Sequence, residues 1–172
     1  HHLLKYHLFP LKVSIVRSSY ETALTNYDQE WFKKTVELAK QYLIESDDIL
    51  SQVEGNHFIG LSLSPRDENE KPLIKVHLEK ALELSKSCNQ FVFARIANSV
   101  AENLSYGNEE EKQKAVQLFE ESLAIKENTE IKDLPGIARS CGGLGRYYFF
   151  NKPDELEKAR KYFEKDLEVS ID

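Results

Sequence analysis

The stretch Ala115-Val-Gln-Leu-Phe119-Glu-Glu-Ser-Leu123-Ala-Ile125 returns 44 residues later as Ala159-Arg-Lys-Tyr-Phe163-Glu-Lys-Asp-Leu167-Glu-Val169. In both, a small residue is followed four positions on by an aromatic ring and four further on by leucine. That spacing places all three on one face of a helix. A third copy lies 41 residues before the first, where Ile74, Leu78, Ala81, Leu82 and Leu84 fall on Ala115, Phe119, Ser122, Leu123 and Ile125. The preceding helix repeats in step: Gly60, Ala101 and Gly145 stand 14 positions before Ile74, Ala115 and Ala159. A fainter fourth copy comes first, where Phe32, Val36 and Ala39 echo Ile74, Leu78 and Ala81, with Ser18 at the Gly60 position. A two-helix register that recurs every 41 to 44 residues is the mark of a repeat architecture. It predicts that Ala115, Phe119, Leu123, Ala159, Phe163 and Leu167 are buried between helices.

Punctuation follows the same phasing. Pro10, Pro72, Pro135 and Pro153 fall near helix starts, where a missing N–H costs nothing, and Pro65 follows a helix end. Asn108 before three glutamates and Asp133 before Leu134-Pro135 read as N-caps. Eight helices are predicted, over 11–26, 29–46, 48–64, 71–87, 90–106, 109–126, 134–151 and 153–170. They form pairs over about 11–46, 48–87, 90–126 and 134–170 of one continuous domain. Residues 1–10 are set aside as a segment the sequence does not assign, with His1 and His2 fitting a tag remnant.

Composition bounds the function. With 172 residues, 41% hydrophobic and 30% charged, the chain supports one ordinary core and is not a disordered tail. A net charge of −6 argues against a general nucleic-acid binder, whose affinity rests on neutralising phosphates. No apolar run approaches the roughly 20 residues of a membrane helix. Cys88 and Cys141 form no Cys-x-x-Cys pair and read as small, half-buried thiols in a reducing compartment, hence a cytoplasmic protein.

The last unit, Leu144-Gly145-Arg-Tyr-Tyr148 followed by Ala159-x3-Phe163-x3-Leu167, resembles the tetratricopeptide repeat pattern of Leu-Gly-x2-Tyr and Ala-x3-Phe. The resemblance is strongest over 90–172, fair over 48–87 and weak over 11–46. The period of 41 to 44 exceeds the usual ~34, and Trp31 does not stand at the consensus tryptophan. The long period is similar to that of bacterial signalling and sensor arrays. The resemblance implies an all-α, right-handed superhelix of about four antiparallel helix pairs. It implies a concave face lined by the first helix of each pair, and a protein- or peptide-binding scaffold inside a larger protein. The alternative is a ligand-sensing regulatory arm of a nucleotide-switch ATPase or a transcription regulator.

Other motifs have plainer readings. Gly142-Gly143-Leu144-Gly145 lacks both the Gly-x-Gly-x-x-Gly spacing and a Gly-Lys-Ser/Thr ending, so close helix packing is preferred to a phosphate loop. His1, His2, His7, His57 and His77 lack metal-ligand spacing, and His57 and His77 read as polar surface or groove residues. Paired acids such as Glu109-Glu110-Glu111 and Glu120-Glu121 read as solvated helix faces rather than an acid–base pair. No catalytic residue, metal site or cofactor is predicted. Of Tyr147-Tyr148-Phe149-Phe150, four neighbours cannot share one side, so core packing is expected for most and an exposed anchor for at least one.

The resemblance also selects candidate groove residues. Ligand-facing positions lie six and three residues before the small residue, and one and four after it. Those are Arg95, Asn98, Glu102 and Ser105 around Ala101, and Arg139, Gly142, Arg146 and Phe149 around Gly145. Around Gly60 they are Glu54, His57, Leu61 and Ser64. The candidate ligand set is Arg95, Asn98, Glu102, Arg139, Arg146 and Phe149, suited to an acidic peptide and to neither nucleic acid nor membrane. The alternative is that the arginines pair with neighbouring acids such as Glu102. Because helix 153–170 is not followed by a polar cap, an apolar strip is expected on its outer face.

Overall fold

The computed structural model describes residues 2–130 and 132–171, and those residues are all-helical, with no strand among them. His1, one half of the expected tag remnant, lies outside the described residues. The elements are α1 (His2–Asn26), α2 (Gln29–Ala39), α3 (Ile49–Ser62), α4 (Lys71–Ser85), α5 (Gln90–Leu104), α6 (Glu109–Glu127), α7 (Leu134–Asn151) and α8 (Leu156–Ile171). A π-helical turn, Lys40–Ile44, prolongs α2, and a 3-10 turn, Pro153–Glu155, leads into α8. Neighbours in sequence pack as partners: α1 with α2, α3 with α4, α5 with α6, and α7 with α8. The chain divides into two compact units, one ending at Cys88 and one beginning at Asn89.

Side-chain caps set the helix starts. Asp48 accepts from Ser51 N–H at 2.7 Å, Asn89 from Phe91 and Val92, and Asp133 from Gly136 at 3.0 Å. Asn108 and Glu111 form a reciprocal capping box. At the end of α1, Tyr27 takes φ 51° and the Asp28 N–H reaches back to the Ala23 carbonyl, a left-handed closure that stops the helix.

One boundary differs from expectation. Helix α1 starts at His2 rather than near 11, so Pro10 sits inside it and not at its start. Proline forfeits one N–H bond there, and its exposed ring leaves the helix to continue on either side.

In the first unit the core joins Val13 and Val16 of α1, Ala39 and Leu43 of α2 and its π turn, and Phe58 and Ile59 of α3. The stripe of α1 runs Val13, Val16, Ser19 and Ala23, so the buried small residue is Ser19, one place after the expected Ser18. The cause is a polar tie: the Thr35 hydroxyl, fully buried, stands 2.9 Å from the Ser19 hydroxyl and donates to the Trp31 carbonyl. Gly60 lies against Leu78, which a Cβ would meet at 2.7 Å, joining α3 to α4 by close approach. In the second unit Gly145 meets Phe163 in the same way, also at 2.7 Å. In these two contacts the small residue faces a large one 18 positions later.

Ala115, Phe119, Leu123 and Ala159 are buried, but Phe163 is 37% and Leu167 63% exposed. The copies differ because α7 covers the Phe119 face of α6, while no described helix lies on the matching face of α8. Leu156, Phe163 and Leu167 are accordingly open on α8.

Candidate functional site

Three helices of the second unit build the candidate site. Helices α5 and α7 both pack on α6. At Gly143 the Phe119 ring already occupies the place of a Cβ. That close approach sinks the ring, 1% exposed, beneath α7. Above it opens a cleft of about 210 Å³ between the end of α5, the start of α6 and the second half of α7. Ala115, Val116 and Phe119 form its floor, and Tyr106, Tyr147 and Phe150 its aromatic walls. Glu102, Lys112, Arg146 and Asn151 bring polar atoms to its lining. The Lys112 ammonium donates to the Asn151 side-chain oxygen at 3.1 Å, closing one end.

A polar hub lies at the other end of α7. The Gly136 carbonyl accepts from the Asn98 amide at 3.1 Å and from the Lys126 ammonium at 3.2 Å, with the Ser140 hydroxyl 3.1 Å away. Lys126 is 3% exposed, with the Asp133 carboxylate 3.8 Å away. Burial lowers its pKa to about 8; Asp133 and Glu102 oppose the shift, and Arg139 and Arg95 add to it. Glu102 is half-buried and raised by that burial, against the pull of Arg139, Arg146 and Lys126. It pairs with Arg139 at 3.5 Å.

The candidate residues separate. Glu102 and Arg146 meet at the cleft, Arg146 exposed. Arg139 stands one ion pair away, as the alternative reading of the arginines has it. Arg95 is half-buried near Lys126. Asn98 is not available as a groove donor: it is 1% exposed, its nitrogen serves Gly136, and its oxygen accepts from Ser140 at 2.9 Å. The reason is local, since the first turns of α7 lie within reach of α5, where Gly136 and Ser140 take up both ends of the amide. Phe149 is 52% exposed, with its ring edge-on to Phe150 at 5.0 Å, but Phe150 lines the cleft and Phe149 does not. Tyr148 is the core member of that aromatic run, stacked on Tyr162 at 5.8 Å.

Sequence reading missed Lys126, Lys112, Tyr106 and Phe150 as site residues. For Lys126 a signal existed. It falls four positions after Ser122 and three after Leu123 on the buried stripe of α6, a charged residue in an apolar register.

In the first unit, Glu54 and His57 are buried rather than lining an open face, at 6% and 5% exposed, and His57 packs beside Phe58. Helix α3 carries apolar or small residues on most sides at this point, and such a helix is enclosed. His77 is half-buried 2.9 Å from the Asn56 side-chain oxygen. Its pKa is lowered by burial, then by Lys40 and Lys80, which keeps the ring neutral at pH 7. Cys141 is buried and its thiol is pushed up to about 11 by that burial and by Asp166, so it is not a ready nucleophile. Among the described residues no group of three or more His, Cys, Asp and Glu is placed to hold a metal, and no helix is long and apolar enough to cross a membrane. No family model matches the chain, and no curated protein matches it in sequence.

Proposed function

We propose that this chain is a protein- or peptide-binding module of the tetratricopeptide kind, and that it binds through the cleft of its second unit rather than catalysing a reaction. The observation that carries this reading is the cleft itself, an apolar floor beneath exposed aromatic walls with two cations at its rim. Sites where a few aromatic anchors sit beside arginine dominate the energetics of many protein contacts. The small-against-large contact shared by Gly60–Leu78 and Gly145–Phe163 supports reading the pairs as repeats of one right-handed superhelical array. The unpaired thiols of Cys88 and Cys141 suit a reducing, cytoplasmic setting. An acidic partner suits Arg139 and Arg146, whose planar forks can each hold both oxygens of a carboxylate.

The test is selection of binding peptides from a displayed random library, followed by titration of the best one against the parent and an Arg139→Ala, Arg146→Ala variant. Both side chains are exposed, so the variant is expected to keep the parent's circular dichroism and unfolding midpoint. Its affinity is expected to fall about tenfold or more, and its residual binding to be less sensitive to salt. Unchanged affinity would remove the arginines from the site, and a library that yields no binder would count against the reading as a whole.

A further inference from the structure

We propose that the α5–α6–α7 cleft seats one aromatic side chain of a partner peptide whose next residues are acidic, the ring held by the cleft and the acids by Arg146. This inference rests on the peptide-binding reading and names the chemistry of the partner.

Size makes the first argument. At about 210 Å³ the cleft is smaller than the roughly 300–1,000 Å³ that a drug-sized ligand or cofactor fills, and suits one large side chain. Shape makes the second. Ala115, Val116 and the nearly enclosed Phe119 ring, against which Gly143 packs, give the cleft an apolar lining, and Tyr106, Tyr147 and Phe150 stand around it. Tyr106 and Phe150 are 86% and 74% exposed, so two rings stand open to water beside an apolar floor. An incoming ring can meet these edge-on or offset, contacts worth more than area alone, whereas a straight aliphatic chain gains only area.

Charge makes the third argument. Glu102 is the one acid lining the cleft, and it is engaged by Arg139. Among the described residues neither Lys112 nor Arg146 is ion-paired with a carboxylate, Lys112 being held by the Asn151 amide. The rim therefore carries an excess of positive charge, although the chain as a whole is at −6. Direction follows from α7. Arg139 lies seven residues before Arg146, two helical turns and about 10 Å along the same face. A chain that leaves the cleft along α7 passes Arg146 and then reaches Arg139, where its acid competes with Glu102 for the guanidinium. That favours acidic side chains in a continuing peptide over a terminal carboxylate, which would end at the first cation.

The experiment is an NMR titration of the whole 172-residue chain with four capped peptides. They are acetyl-Phe-Glu-Glu-amide, acetyl-Phe-Gln-Gln-amide, acetyl-Ala-Glu-Glu-amide and acetyl-Phe with a free carboxylate. The first is expected to bind most tightly, with shifts confined to the cleft and Arg146. Loss of the acids or of the ring is expected to weaken it by about tenfold each. An Arg146→Ala variant is expected to bring acetyl-Phe-Glu-Glu-amide down to the level of its glutamine counterpart, and a Phe150→Ala variant to weaken the two phenylalanine amides alike. The proposal is overturned if the amides bind equally, if free acetyl-Phe matches the best of them, if shifts fall outside the cleft, or if none binds. Should these peptides fail while a library-selected peptide still depends on Arg146, the inference falls and the peptide-binding reading stands.

Discussion

Gly143 has no side chain, and the ring of Phe119 fills the space that a methyl group would take. Phe119 is 1% exposed and enclosed by two further helices, so it has little room to swing away. Gly143→Ala is therefore expected to destabilise the chain by about 1–3 kcal/mol, the usual cost of overpacking, even though alanine is the better helix former. Urea unfolding measures it. A stability equal to or above the parent's would mean that α7 can lift from α6 at no cost, and that the cleft floor is looser than it stands here. Gly136 works differently, because a Cβ there would meet the Lys126 ammonium at 2.6 Å and break the polar hub rather than an apolar contact.

Helices α6 and α8 carry the same pattern but different burdens. Phe119 lies under α7, while its counterpart Phe163 touches Gly145 on one side and water on the other. Deleting the ring of a closed site leaves a cavity, whereas deleting a half-open one leaves a dent that water fills. Phe119→Ala is expected to cost about 3–5 kcal/mol and Phe163→Ala less than about 2 kcal/mol. Amide hydrogen exchange supplies a second measure: α8 is expected to exchange faster than α6, because its outer face is uncovered. Equal costs together with equal protection would show that α8 is covered in solution. This inequality is also where the pattern of residues misleads, since a repeat register tells which residues face a neighbouring helix but not whether that neighbour is there.

For the molecule as a whole, Lys126 links stability to pH. Its folded pKa is about 8 against an ordinary 10.5. Below pH 8 the ammonium is charged in folded and unfolded chains alike, and the cost of burying it is fully present. Between pH 8 and 10.5 the folded chain has released a proton that the unfolded chain still holds, so this residue makes stability rise with pH, by roughly 3 kcal/mol across the window. Cys141 and Tyr162, raised by burial, act in the opposite sense. The comparison with Lys126→Met isolates the lysine. That variant is expected to be as stable as the parent or more so at pH 7, and to lack the alkaline rise. If Lys126→Met is less stable by more than about 2 kcal/mol at pH 7 and keeps the same profile, the lysine acts instead as a tie to Gly136 and Asp133.

The helices, their partners and most of their ends were legible in the residues alone. Apolar spacing, caps at Asn108 and Asp133, and prolines at helix starts are local properties that hold whatever surrounds them. The 18-residue offset between Gly60 and Leu78, and between Gly145 and Phe163, set which residues meet inside a pair, because two antiparallel helices joined by a short turn have few ways to align. What surrounds each pair was decided by tertiary structure. Asn98 occupies a groove position in the pattern, yet α7 comes close enough at Gly136 to absorb its amide. Phe150 rather than Phe149 reaches the cleft, a matter of about 100° of helical rotation that no spacing rule resolves at a helix end. Lys126 was visible as a charge on an apolar stripe, but its pKa depends on how much water three helices exclude. Burial and field are sums over all neighbours in space, and only the folded chain determines who those neighbours are.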